Sequence, residues 1–161
     1  MNRFELQALR RILFFNRMEA AKLLAANENH PYGVTDRSWR MWEDGSRTIP
    51  ADVIERVHYL IGWRGNAIQA ALSQIGQAEP SAEVRLVWYE TLDDWHSLAG
   101  RDTLFFRPTQ SVIAALLAAD NRFGLVVFDF EAYTDWLGKR DDSEKLRSLW
   151  GHSFPSDTAL L

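Results

Sequence analysis

Hydrophobic residues return at three- and four-residue intervals near the start of the chain, which is the spacing of an amphipathic helix. In the segment NRFELQALRRILFF this apolar stripe consists of Phe4, Leu6, Leu9, Ile12 and Leu13. Asn2 precedes the stripe and has the side chain of a good N-cap. The pattern therefore predicts a first helix that turns its apolar face to a core.

A second helix is predicted in RMEAAKLLAA, where the apolar stripe is narrow and rich in alanine. Its members are Met18, Ala21, Leu24 and Ala25. The small side chains would allow another helix to approach closely. The following segment, NENHPYG, has the composition of a loop, with Pro31 and Gly33 as helix breakers.

The segment TDRSWRMWEDGSRTIP predicts a short third helix with two different faces. Thr35 or Asp36 can cap its start, and Gly45 is well placed to end it. At about 100° per residue, Trp39 and Trp42 lie about 60° apart on one face, which we expect to point inward. The opposite face carries Arg37, Arg40, Met41 and Asp44.

Two further helices are predicted, one at 50–61 with Pro50 in its first turn and one in NAIQAALSQI. The five short helices together predict a compact helical domain at residues 1–76. The segment GQAEPSAE, residues 76–83, has the composition of a linker or turn.

Strand-like and helical patterns alternate after this linker. VRLVWY and GLVVFDF are strand candidates, and DTLFFR is predicted to be extended. Helices are predicted in ETLDDWHSLAG (ending at Gly100), PTQSVIAALLAAD, EAYTDWLGKR and SEKLRSLW, followed by a weak tail. The predicted fold class is α+β and mostly α, with a second, small α+β domain at residues 84–161.

Composition narrows the class of protein. The 161 residues are 47% hydrophobic and include seven tryptophans, enough for a substantial core, and there is no cysteine for disulfides or thiolate zinc sites. No apolar run approaches the ~20 residues of a membrane span, and no secretory signal is apparent. We therefore expect a soluble cytoplasmic protein that does not interact with membranes.

Charge is unevenly distributed along the chain. The net charge is −4, but residues 1–64 hold ten Lys/Arg against eight Asp/Glu, whereas residues 65–161 hold eight against fourteen. A mildly basic front and an acidic back fit a DNA-binding domain joined to an assembly domain. A chance asymmetry of solvated charge is the alternative.

The outward face of the third helix has the chemistry of a DNA reader. Two consecutive helices, the second presenting charged residues outward, describe a helix-turn-helix whose second helix enters the major groove. Arginine suits bidentate contact with guanine, and a methionine can contact a thymine methyl group. The predicted DNA-facing set is Thr35, Arg37, Ser38, Arg40, Met41, Arg47 and Thr48, with Arg37 nearest the base edges and Arg47 better placed for phosphate.

The segment SWRMWEDGSRTIP resembles the W-E-x-G-x-R-x-P segment that closes the recognition helix in Xre/Cro-type regulators. ELQALRRIL together with RSWRMWEDG is similar to the YdiL-like family, which includes the anti-CRISPR-associated (Aca) autorepressors of phages and mobile elements. LVWYETLDDW and RPTQSVIAAL are similar to that family's C-terminal half, so the resemblance covers roughly residues 2–120.

The resemblance implies an N-terminal helix-turn-helix domain, a C-terminal dimerisation domain and binding to inverted repeats, in some cases at the operon that encodes the regulator. It places the key base-reading arginine at Arg37. It also implies that Glu43 pairs inside the fold with an arginine of the first helix, here Arg10. Together with Trp39, Trp42 and Gly45, these two residues are expected to be structural.

A homodimer is expected because one small domain specifies only a few base pairs, whereas two domains can read two half-sites. The aromatic residues of the back half offer material for a core and for a symmetric interface. The interface candidates are Trp88, Trp95, Phe105, Phe106 and Phe128. Residues 121–161 extend past the shorter relatives and are expected either to enlarge this interface or to bind another partner.

Other functions have weaker support in the sequence. His30, His58, His96 and His152 show no metal-ligand spacing, so no metal site is expected. DDWH contains two carboxylates and a histidine, but it is more typical of a capped surface helix than of an acid–base site. No cofactor motif is present, and we expect no enzyme. An antitoxin that regulates its own toxin operon, or a protein that binds an RNA leader, remains an alternative.

Overall fold

A computed structural model describes residues 1–154 as two compact units. The helical unit comprises Met1–Ala67 together with Arg107–Ser111, and the α+β unit comprises Ile68–Phe106 together with the chain from Val112 onward. The weak tail and the end of the predicted second domain, residues 155–161, lie outside the described residues. Within residues 1–154, no helix is both long and apolar enough to cross a membrane.

The helical unit contains α1 (Arg3–Ile12), α2 (Arg17–Leu23), α3 (Asp36–Glu43) and the first part of α4 (Ala51–Gln77). Capping boxes begin α1 and α2. The side chain of Asn2 accepts from the backbone N–H groups of Phe4 and Glu5, and that of Asn16 accepts from the N–H of Glu19. In return, the carboxylates of Glu5 and Glu19 accept from the backbone N–H groups of Asn2 and Asn16. These two local signals set where the helices start.

The helices predicted at 50–61 and in NAIQAALSQI are one continuous helix, so the prediction of five helices is wrong for this segment. Gly62 and Gly65 lie at the expected break, but both have room around them and neither has a positive φ. A glycine in a helix costs about 1 kcal/mol relative to alanine, which weakens the helix without ending it. The chain between them offers no proline to stop α4.

The core of the helical unit is formed by the inward faces of these helices. It consists of Leu6, Leu13, Phe15, Ala20, Ala21, Leu24, Ala25, Trp39, Trp42, Ile49, Val53, Val57 and Leu60. Three residues of the predicted stripes are exposed: Phe4 is 64% exposed, Met18 58% and Ile12 44%. Because α1 and α2 are short, only part of each predicted stripe meets a neighbouring helix.

The α+β unit is built on a two-stranded parallel sheet. Strands β1 (Val84–Trp88) and β2 (Phe123–Val127) pair in the register Val84 with Phe123 and Trp88 with Val127. After the last part of α4, its other elements in chain order are α5 (Leu92–His96), a 3₁₀ turn (Thr103–Phe105), α6 (Phe106–Ala119) apart from Arg107–Ser111, α7 (Phe130–Leu137) and α8 (Glu144–His152). The α+β, mostly helical class is therefore confirmed.

Two local predictions in this unit are wrong. DTLFFR is not extended, because Asp102 accepts a hydrogen bond from the Leu104 N–H at 2.8 Å and starts the 3₁₀ turn that leads into α6. The helix predicted to end at Gly100 ends at His96, where the Ser97 hydroxyl donates to the Asp94 carbonyl at 2.6 Å.

An aromatic cluster forms the core of the α+β unit. Its buried members are Tyr89, Trp95, Phe106, Val126, Phe128, Tyr133 and Trp150. Three predicted interface residues, Trp95, Phe106 and Phe128, are thus buried inside their own unit and are not available at its surface. Trp88 and Phe105 are only partly buried.

Two arginines stabilise this cluster from within. Arg147 is 1% exposed, forms an ion pair with Asp142 at 2.6 Å and lies over the Phe128 and Tyr133 rings. The Arg101 guanidinium contacts the Tyr89 and Trp95 rings at 4.2 and 4.3 Å from their centroids. Each guanidinium therefore contacts aromatic ring faces and also has a carboxylate partner or hydrogen bonds.

Candidate nucleic-acid interface

Helix α3 separates a buried face from an exposed one, as its sequence predicts. The Thr35 hydroxyl accepts from the Ser38 N–H at 3.2 Å and caps the start, while Gly45, with φ +85°, follows the end. Trp39 and Trp42 are buried, with their rings edge-to-face at 5.4 Å. This buried pair fixes which face of α3 remains outside.

A buried hydrogen-bond network attaches α3 to α1. Glu43 Oε1 accepts from Arg10 Nε at 2.6 Å and from Trp39 Nε1 at 2.7 Å, so the contact expected between Arg10 and Glu43 is present. Arg10 Nη1 also donates to the carbonyl of Phe15 at 2.8 Å, in the turn between α1 and α2. One ion pair thereby connects α1, the following turn and α3.

The C-terminal end of α3 is also held by side chains of α1. Gln7 Nε2 donates to the Glu43 carbonyl at 2.8 Å, and Arg3 Nη1 donates to the Asp44 carbonyl at 2.6 Å. These carbonyls have no partner within the helix, so the two side chains satisfy acceptors that would otherwise need water. Gln7 and Arg3 are not among the residues predicted from the sequence, because neither spacing nor composition shows which side chain reaches a distant helix end.

The long segment between α2 and α3 is closely folded back on α2. Val34 N–H donates to the Ala21 carbonyl at 2.8 Å, and Arg56 of α4 donates to carbonyls at the end of α2, including Leu24 O at 3.2 Å. Asn27 donates to Asp52 of α4 at 2.7 Å, which also lowers the pKa of Asp52. The segment between α2 and α3 is thus fixed by hydrogen bonds at several points.

The exposed residues of the predicted DNA-facing set lie on α3 and immediately before and after it. Arg37, Arg40, Arg47, Thr35 and Thr48 are exposed, while Ser38 and Met41 are partly buried. Arg40 forms an ion pair with Asp36 at 2.7 Å. The Arg37 guanidinium makes no hydrogen bond or ion pair to any residue within 1–154.

Two depressions adjoin α3 and add cationic residues to this surface. The larger, about 670 Å³, is lined by Gln7, Arg10, Arg11, Asn16, Arg17, Arg40, Glu43 and Asp44. The smaller, about 470 Å³, brings Arg3 beside Arg47 and Thr48. Arg3, Arg11 and Arg17 were missing from the sequence-based set because they belong to α1 and α2, and only the packing of those helices against α3 brings them here.

The rejected enzyme candidates have ordinary structural partners. Asp94 completes the capping box of α5 with Thr91, and His96 Nε2 lies 2.9 Å from the Thr103 hydroxyl. In the described part of the chain, no three His, Asp or Glu side chains are placed together as metal ligands.

Fold and site together define a mostly helical α+β protein whose N-terminal unit presents an arginine-bearing helix. The chain belongs to the Aca2/YdiL-like family, whose family model matches residues 1–124. It is 30% identical over 120 residues to the Aca2 repressor of Pectobacterium phage ZF40, a match that covers 71% of this chain and 90% of the phage protein. The resemblance identified from the sequence motifs is thereby confirmed.

Proposed function

We propose that the protein is a sequence-specific DNA-binding repressor that inserts α3 into the major groove. The observation that carries this proposal is the exposed Arg37 guanidinium, which has no hydrogen-bond or ion-pair partner within residues 1–154. Buried tryptophans hold the opposite face of its helix. A rigid helix with an unpaired arginine near its start can present a bidentate donor to guanine O6 and N7. The repressor name of the phage relative agrees with this role.

The other residues of the set take roles that follow from where they lie. Arg40, Ser38 and Met41 share α3 with Arg37 and are proposed to contact base edges or the adjoining backbone. Arg47, Thr48 and Thr35 flank the helix and are proposed to contact phosphates, which position the protein without reading sequence. Arg37 is the residue that this proposal requires.

We further propose that two copies bind an inverted repeat, because two base-reading helices related by a two-fold axis match a pseudo-palindrome. With Trp95, Phe106 and Phe128 in the core, Trp88 and Phe105 are the candidates that remain for the interface. Repression of its own operon is the corresponding biological role.

The test is selection of random duplex DNA by the full-length protein, with Arg37→Ala as the matched variant. We expect an enriched inverted repeat for the wild type and none for the variant, which should stay folded because Arg37 is exposed. Absence of enrichment from the folded wild type would overturn the proposal and direct attention to RNA or a protein partner such as a toxin.

A further inference from the structure

Asp36, the first residue of α3, lies between two arginines from different helices. Its Oδ2 is 2.7 Å from Arg40 Nε, one turn further along α3, and its Oδ1 is 3.8 Å from Arg17 Nε, at the start of α2. The three side chains are partly exposed: Asp36 is 32% exposed, Arg17 45% and Arg40 57%. A single carboxylate thus connects the start of α2 to the exposed face of α3.

The ion pair with Asp36 draws the Arg40 guanidinium toward the start of α3. A guanidinium is a planar group whose donors have fixed relative positions, so keeping it beside a carboxylate limits where its other donors can point. A freely moving arginine can reach whichever phosphate is near, whereas a restricted one favours DNA that places an acceptor at its donors. The ion pair therefore bears on specificity and not only on the stability of α3.

Asp36 also reduces the positive charge that Arg40 and Arg17 offer to DNA. Non-specific affinity depends on how many phosphates the protein neutralises, and it falls with salt accordingly. An arginine already paired with a carboxylate contributes less to that sum than a free one. Arg37, on the same helix, has no such pair with any residue within 1–154, so its full charge is available to a base.

We infer that Asp36 is a positioning residue that raises the ratio of specific to non-specific DNA binding. It does so by restricting the position of the Arg40 guanidinium and by keeping Arg40 and Arg17 from arbitrary phosphates. This inference rests on the proposed function and adds Asp36 and Arg17 to the residues that shape it.

The central experiment uses Asp36→Asn in the full chain, which removes the charge and keeps the side-chain shape. Dissociation constants are measured for the operator that the wild type selects and for a scrambled duplex of equal length, over a series of salt concentrations. We expect the specificity ratio to fall about tenfold. We also expect the salt slope of non-specific binding to steepen by about one, for one more phosphate contacted.

Three comparisons separate positioning from a general change of charge. Glu79→Gln changes the net charge by the same amount as Asp36→Asn, but in the α+β unit. It should leave the ratio of specific to non-specific binding unchanged. Asp36→Glu keeps the carboxylate and should retain more of the wild-type ratio than Asp36→Asn. In an Arg40→Ala background, Asp36→Asn should change the ratio much less, because the residue it positions is gone.

Arg40→Lys provides a second route that does not alter Asp36. It keeps the charge but lacks the planar fork, so the ratio should fall while the salt slope changes little.

The outcomes distinguish this inference from the proposed function. A wild type that selects an operator, with Asp36→Asn and Arg40→Lys both retaining its ratio, overturns the inference alone. The inference is also overturned if Asp36→Asn lowers the specificity ratio by the same factor in the wild-type and Arg40→Ala backgrounds. A folded wild type that selects no sequence overturns the proposed function and this inference with it.

Discussion

Gly33 is the residue on which the fold of the segment before α3 depends. It has φ +74°, and a Cβ built there would lie 2.3 Å from the Ala21 carbonyl oxygen and 2.5 Å from the Lys22 Cα. These neighbours are backbone atoms of α2, which cannot move aside as a side chain can. Gly33 therefore allows the segment to lie directly against α2 and sets where α3 begins.

Gly33→Ala should lower the free energy of unfolding by at least about 2 kcal/mol, because a left-handed residue and a backbone clash act together. Gly45→Ala is the matched control: its φ is +85°, but its Cβ would meet only the flexible Arg3 side chain at 3.2 Å. It should cost about 1–2 kcal/mol. Equal losses in urea unfolding would contradict the role given to Gly33.

Glu43→Gln should be strongly destabilising because it leaves Arg10 buried without its counter-charge. The expected loss is about 3–5 kcal/mol in urea unfolding, as for other broken buried pairs. Asp36→Asn removes a carboxylate from the exposed pair with Arg40 and should cost less than about 1 kcal/mol. Similar losses for the two variants would show that burial of the Arg10–Glu43 pair has no energetic consequence.

At the scale of elements, the sequence predicts best where a local signal agrees with packing. The two faces of α3 follow from the spacing of Trp39 and Trp42 and from Gly45, and both are as expected. The break predicted within α4 does not occur, because isolated glycines weaken a helix without stopping it. Arg3, Arg17 and Arg56 could not be assigned, since their partners lie on elements distant in sequence.

The joint between α7 and α8 should respond to alkaline pH. Burial, and then a hydrogen bond to Asp142, raises the pKa of Tyr133 from 10.0 to about 12. The group ionises more easily in the unfolded chain, so its contribution to stability is complete below pH 10 and is lost between pH 10 and about 12. In Tyr133→Phe, stability followed by near-UV circular dichroism should decline less steeply over this range; an unchanged decline would contradict this account.

At the scale of the whole molecule, the family match ends at residue 124, inside β2. The described chain beyond it supplies Phe128, Tyr133 and Trp150 to the core of the α+β unit. The described part of this extension therefore helps to complete a core, which a comparison with shorter relatives could not reveal. The expectation that it enlarges an interface or binds a partner stays a prediction.

Trp150→Ala should therefore destabilise the α+β unit by about 3–5 kcal/mol, the usual loss for a buried tryptophan. Leu149→Ala, at a neighbouring position that is largely exposed, serves as the control and should change stability by less than about 1 kcal/mol. Thermal unfolding followed by near-UV circular dichroism compares the two. A Trp150→Ala protein as stable as the control would show that the extension is not part of the core.

The central claim, that Arg37 reads a base, is tested most directly by a thermodynamic cycle on the selected operator. Arg37→Ala is combined with replacement of each guanine in turn by 7-deazaguanine, which lacks the N7 acceptor. We predict a coupling energy of about 1–3 kcal/mol at one guanine in each half-site and additive effects elsewhere. Additive effects at every guanine would contradict the assignment of α3 as the base-reading helix.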